Sequence, residues 1–170
     1  MVNVSNFLCI GRNHIYGIHD WGSGANGIFN GKSRWDVELI SFENVVPTPN
    51  FSAIVGEGFT LIIRLGKSWG ESVPRSPSEW DAFATLCANT VSAYSSYCKR
   101  WIIGNEMNAN FDSNIPPSDY IAIFQKCRLA IKAVQPDAEV LVAAVAPWNT
   151  APESRRTLFL CLVELYGCLS

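Results

Sequence analysis

In the run RWIIGNEMN, from Arg100 to Asn108, three bulky apolar residues, Trp101, Ile102 and Ile103, stop abruptly at Gly104 and a polar pair, Asn105 and Glu106. Such a run reads as a short strand buried on both faces, with a carboxylate where the strand ends. In a parallel sheet wrapped by helices, that C-terminal rim is where ligand sites are built, because the strands are packed everywhere else. Glu106 is therefore the first candidate for chemistry. The competing reading is that it merely opens a solvated loop. Two other apolar runs end in the same way: Ile15 to Ile18 lead into His19, Asp20 and Trp21, and Phe59 to Leu65 carry Arg64 near their end, with Trp69 in the loop beyond.

The elements that must position these residues follow from hydrophobic periodicity and helix-start signals. Ile15 to Ile18 form a first strand and Val37 to Phe42 a second, in which Glu38 needs a partner or a solvent-facing side. A short helix starts near Asn50, after Pro47 and Pro49. Phe59 to Leu65 are the third strand. Ser76-Pro77-Ser78-Glu79 has the pattern of a capping box and opens a helix whose buried stripe is Trp80, Phe83, Ala84, Cys87, Val91 and Tyr94. After the fourth strand, the Asn-rich loop from Met107 to Ile115 is expected to open space above the rim. Pro117 opens the next helix, with Pro116 where a capping oxygen normally sits. Tyr120, Phe124, Cys127, Ile131 and Val134 form its buried face, and Pro136 ends it. Val140 to Val145 are the fifth strand, closed by Pro147, Trp148 and Asn149. Pro152 to Tyr166 read as a last helix with an all-round apolar centre, which either packs on two sides or is sticky. Strands alternating with amphipathic helices imply an α/β fold with a parallel sheet and right-handed crossovers.

Composition narrows the function classes. The 170 residues suit one domain, spanning residues 1–170, with an N-terminal extension over 1–13 and an atypical C-terminal helix over 150–170. With 48% hydrophobic and 16% charged residues, disorder is not expected. A net charge of -2 and the lack of a basic stripe give no reason to expect nucleic acid or a membrane surface as partner. No signal-peptide pattern or bilayer-length apolar run is visible, so a soluble protein of unknown compartment is expected. Sequons at Asn3 and Asn50 are too common by chance to decide the compartment. The six cysteines (Cys9, Cys87, Cys98, Cys127, Cys161 and Cys168) lack Cys-x-x-Cys spacing and neighbouring histidines, so they read as free thiols rather than metal ligands. Gly22 to Gly27, GSGANG, formally matches G-x-G-x-x-G, but Asn30-Gly31 would break the helix that a dinucleotide site needs. It reads as a flexible rim loop, and no cofactor is expected.

The strand-end motif WIIGNEMN, the opening IYGIHD, the third-strand IIRL and the ending VAAVAPWN together resemble the N-terminal part of clan A glycoside hydrolases, over roughly Ile15 to Asn149. The resemblance implies an incomplete TIM (β/α)8 barrel of about five parallel strands with outer helices. It implies that Glu106 is the general acid/base of a retaining glycosidase acting on β-linked saccharides. Asn105 would hydrogen-bond the sugar 2-hydroxyl. His19, Asp20 and Arg64 match rim positions around the reacting sugar, with Asn108 a further substrate-binding candidate. Trp148 and Trp69 would offer flat faces to pyranose rings. The chemistry needs an acid that protonates the departing glycosidic oxygen and then, as carboxylate, activates water.

The pattern is incomplete. A retaining mechanism needs a second carboxylate about 5 Å from the first, which the clan places at the end of strand seven, and a full barrel takes about 250 residues. After Asn149 the only acids are Glu153, in a capping position, and Glu164, inside an apolar helix. The expectations are thus a truncated hydrolase carrying the acid/base without the nucleophile, poor or absent turnover, and self-association through open sheet edges. The alternative is a non-catalytic carbohydrate-binding or assembly module of the same barrel.

Overall fold

In the computed structural model, which describes residues 16–20, 29, 34–44 and 48–146, five strands form one sheet. They are β1 (Tyr16–His19), β2 (Arg34–Ser41), β3 (Phe59–Gly66), β4 (Cys98–Ile103) and β5 (Glu139–Val142). Each lies parallel to the next, in chain order. A doubly wound sheet would reverse direction at a switch point; a sheet that adds every strand on the same side is the wall of a (β/α)8 barrel. The described helices are α1 (Phe51–Gly56), α2 (Trp80–Tyr94), which follows a 3-10 turn at Pro77–Glu79, and α3 (Pro117–Val134).

Burial alternates along the strands. Phe59, Leu61, Ile63 and Leu65 of β3 and Trp101 and Ile103 of β4 are buried, packing in one core with α2 and α3. Their alternates Thr60, Ile62, Arg64 and Ile102 are only half-buried. The expectation that β4 is buried on both faces is therefore corrected: helices cover one face, whereas in a closed barrel opposite strands cover the other.

Strand β2 begins at Arg34, three residues earlier than its hydrophobic pattern suggests, because polar side chains occupy its covered face. Arg34, Asp36 and Glu38 pair in register with Phe59, Leu61 and Ile63 and so point to the helix side. Arg34 lies 4.4 Å from the centre of the Phe59 ring and donates to the Glu57 carbonyl at 2.5 Å. Glu38 is buried rather than solvent-facing, and Asp36 is 0% exposed, with neither carboxyl oxygen hydrogen-bonded among the described residues. Burial, and after it the negative charge of Glu38, pushes the Asp36 carboxyl up to about 8.

The helix starts separate local from long-range signals. Asn50 caps α1, accepting from the Ala53 N–H at 3.1 Å. The capping box at Ser76 does not form: Ser76 Oγ bonds Ser78 Oγ and Glu79 reaches Lys67, so the chain enters α2 through the 3-10 turn. Pro117 does open α3. Tyr94 is half-buried and Val134 exposed, so each stripe is shorter than expected, while Ala88 and Ile123 join the buried faces. Strand β5 stops at Val142, ahead of the expected Val145. Cys87, Cys98 and Cys127 are free and buried. Cys98 stands on β4, and burial pushes the Cys87 and Cys98 thiols up. Residues 22–27, Trp148 and the expected last helix lie outside the described residues. Among those described, no helix is long and apolar enough to cross a membrane.

Candidate functional site

The C-terminal ends of β2, β3 and β4 meet at an open hollow lined among others by Leu39, Arg64, Ser68, Trp69, Asn105 and Asp112. Arg64, next to last but one in β3, faces the half-open side of the sheet. Its Nη1 donates to Asn105 Oδ1 at 2.8 Å, while its buried Nε has no acceptor among the described residues. A buried donor left open is rare in a folded chain and points to a place completed by something else.

Beyond Gly66 the chain is anchored by Lys67, whose ammonium lies 3.0 Å from Glu79, 3.4 Å from Glu71 and 3.9 Å from Glu43. Burial pulls its pKa down, but Glu79 and Glu71 outweigh it and hold Lys67 above the usual lysine value. Ser68 and Glu71 then pair as an antiparallel bridge, leaving Trp69 and Gly70 at the tip of a tight turn. Gly70 has φ +77°, as the third position of a type II turn requires. The Trp69 N–H donates to Asn44 Oδ1 at 2.8 Å, so the indole is 68% exposed on a pinned backbone.

Just after β4, Gly104 turns the chain toward Asn105 and Glu106. Its φ is +80°, and a Cβ there would sit 2.9 Å from both Met107 Cε and Val73 Cγ1. Its N–H donates to the Leu65 carbonyl at 2.8 Å, and the Asn105 N–H to Ser72 Oγ at 3.0 Å. The Asn-rich loop that follows does not open space above the rim. Met107, Asn108, Ala109, Asp112, Ser113 and Ile115 are buried, because the loop satisfies its polar groups against the loop after β3. Asp112 Oδ1 accepts from the N–H groups of Ser72 and Ser113, at 2.8 and 2.7 Å. Ser113 Oγ accepts from the Val73 N–H at 2.9 Å. Arg75 donates to the carbonyls of Ser113, Asp112 and Gly70.

The sequence candidates therefore separate. Arg64, Asn105 and Trp69 come together around the hollow. Glu106 follows Asn105, half-buried and outside the lining, and its carboxyl has no hydrogen bond or ion pair among the described residues. His19 and Asp20 stand exposed at the end of β1, with His19 Nδ1 2.8 Å from Asp20 Oδ2 and Asp20 at φ +58°; neither lines the hollow. Asn108 is turned to the interior, where its amide accepts from the Ala146 N–H at 2.8 Å and donates to the Ala146 carbonyl at 3.1 Å, tying the loop to the chain beyond β5. Ser72, Asp112 and Ser113 were not singled out from sequence. Their partners lie about forty residues away, and locally they read as ordinary turn residues. Among the described residues, no group of three His, Cys, Asp or Glu side chains is placed to hold a metal ion.

No protein-family model and no curated protein sequence matches the chain. Solved structures do. The chain is similar to a family 39 glycoside hydrolase from Bacteroides cellulosilyticus, at TM-score 0.58 and 17% identity over 76% of this chain and 31% of that one. It is similar to a monomeric β-xylosidase from Caulobacter crescentus, at TM-score 0.58 and 14% identity over 92% and 40% of the two chains. An exo-β-1,4-mannosidase from an Opitutaceae bacterium matches at TM-score 0.51 and 15% identity, over 75% and 31%. At these identities the likeness is one of fold: part of the TIM barrel of glycoside hydrolases, as the resemblance in the sequence implied. The chain spans about a third of the length of these structures.

Proposed function

We propose that these 170 residues carry the acid/base half of a retaining glycosidase site for β-linked saccharides. The observation that carries this reading is the Arg64–Asn105 pair at the strand ends. It presents a guanidinium N–H without an acceptor among the described residues, an amide and the exposed Trp69 face around one hollow, with Glu106 next in sequence to Asn105. Flat apolar faces beside fixed polar groups suit a pyranose ring, apolar on its faces and hydroxylated at its edge. Glu106 would protonate the departing glycosidic oxygen and, once ionised, take a proton from the attacking water. Asn105, oriented by Arg64, would hold the 2-hydroxyl, with His19 and Asp20 at the end of β1. The carboxylate that attacks the anomeric carbon must come from outside this arrangement, since Asp112 at the hollow is held by Ser72 and Ser113.

The 170-residue chain by itself is thus expected to bind saccharides without turning them over. Calorimetry with oligosaccharides should give binding that Arg64→Ala and Trp69→Ala weaken, and aryl β-glycosides should be cleaved no faster than in buffer. Turnover by the isolated chain that disappears in Glu106→Gln would overturn the missing nucleophile while supporting the acid/base role. The placement of Glu106 outside the lining favours a second reading, a carbohydrate-binding module without catalysis. Restored hydrolysis on adding a polypeptide that carries the remaining barrel strands, lost again in Glu106→Gln, separates the two.

A further inference from the structure

Phe111 is 61% exposed, yet it stands beside the buried Asp112, whose side chain is bonded to the loop after β3. An aromatic ring of this size is costly to hold in water, and here the backbone beneath it is fixed in place. Trp69 is 68% exposed on the neighbouring loop, equally fixed. The two loops touch between these residues. A Cβ on Gly70 would lie 3.4 Å from the Phe111 carbonyl oxygen, an ordinary contact distance, so the residue after Trp69 lies beside the Phe111 backbone. Arg75 clamps the junction from below, donating to the carbonyls of Gly70, Asp112 and Ser113 at 3.0, 2.8 and 2.7 Å.

We infer that Trp69 and Phe111 form one rigid aromatic platform that extends saccharide binding beyond the hollow, with Trp69 under the ring bound there and Phe111 under a further ring of the same chain. The inference rests on the saccharide reading of the hollow and adds to it a preference for oligosaccharides over monosaccharides. Three observations favour a saccharide over an apolar partner. Trp69 lines a hollow together with Arg64, Ser68 and Asn105, so the aromatic surface is continuous with hydrogen-bonding groups. The two loops are locked to each other by at least six hydrogen bonds, so the rings need little ordering on binding. Finally, a pair of exposed rings on adjacent loop tips suits successive rings of a linear chain.

The test uses the 170-residue chain and three probe series, cello-, xylo- and manno-oligosaccharides of one to six units, with affinities read by calorimetry and folding checked by thermal melting. In one series the wild-type affinity should climb with length. Phe111→Ala should bind the monosaccharide like wild type and lose the gain with length, a weakening of about five- to tenfold for the longer probes. Phe111→Tyr should retain it, and Trp69→Ala should weaken binding at every length. Phe111→Ala tracking wild type at all lengths, or affinity independent of length, would overturn the platform while leaving the hollow as a sugar site. Absence of binding by wild type in all three series would overturn both.

Discussion

At the scale of single residues, Gly104 and Asp36 show how the same physics serves position and stability differently. Gly104 turns β4 into the site with φ +80° and no room for a Cβ between Met107 and Val73. Gly104→Ala combines left-handed backbone strain with overpacking and should destabilise the chain by about 2–4 kcal/mol, measured by urea denaturation. It should also displace Asn105 and weaken saccharide binding. Asp36 works through protons. The folded chain holds a proton on this carboxyl up to about pH 8, whereas the unfolded chain releases it near pH 4. Stability should therefore decline as pH rises from about 4 to 8, by a few kcal/mol at most, and level off above. Asp36→Asn should flatten that decline, which unfolding curves at pH 5 and pH 8 would reveal. Both glycine and aspartate were visible in the sequence; neither the crowding nor the burial was, because the atoms responsible come from other elements.

Among the elements, the ends of β4 and β5 are held by a side chain rather than by the sheet. Tyr120, fully buried on α3, donates its hydroxyl to the Ile103 carbonyl at 3.0 Å and accepts from the Ala143 N–H at 2.7 Å. Burial pushes its phenol well above the usual tyrosine value, so it stays protonated. Ladder pairing between these strands ends at Ile103 and Val142, just before Gly104, and Tyr120 continues the connection one step further. Tyr120→Phe keeps the ring and removes the bridge, leaving a carbonyl and an N–H buried without partners. It should cost about 1–3 kcal/mol in chemical denaturation. The helix was legible from Pro117 and its apolar stripe, and Tyr120 was placed on the buried face. The hydroxyl's two partners, 17 and 23 residues away in the chain, left no local trace.

For the whole molecule, the consequence lies in the side of the sheet that the helices leave half-covered. Thr60, Ile62, Arg64 and Ile102 are each partly exposed there, and β1 and β5 are the outer strands of the described sheet. Unpaired strand edges beside apolar side chains promote association. Sedimentation velocity on the 170-residue chain should therefore detect concentration-dependent self-association, and Ile62→Lys should reduce it without unfolding the protein. A strict monomer across micromolar to millimolar concentrations would show that edge exposure is not limiting.

What the sequence determined by itself was local and repetitive: the alternation of apolar runs and one-sided helices, the proline and asparagine signals at helix starts, and the polar residues at strand ends, all set by residues within a turn or two of one another. From these the parallel sheet and the places of Arg64, Asn105 and Glu106 at its strand ends were legible, while the barrel followed from the resemblance of the strand-end motifs. The tertiary structure decided which of those residues meet. It joined Arg64 to Asn105 across 41 positions, folded the Asn-rich loop down instead of open, turned Asn108 inward, and placed Asp36 and Glu38 in the covered face. The physical reason is that hydrogen bonding, burial and close packing act through space. Periodicity along the chain reports which face a side chain takes, and only the register between strands and the docking of loops determines what stands opposite it.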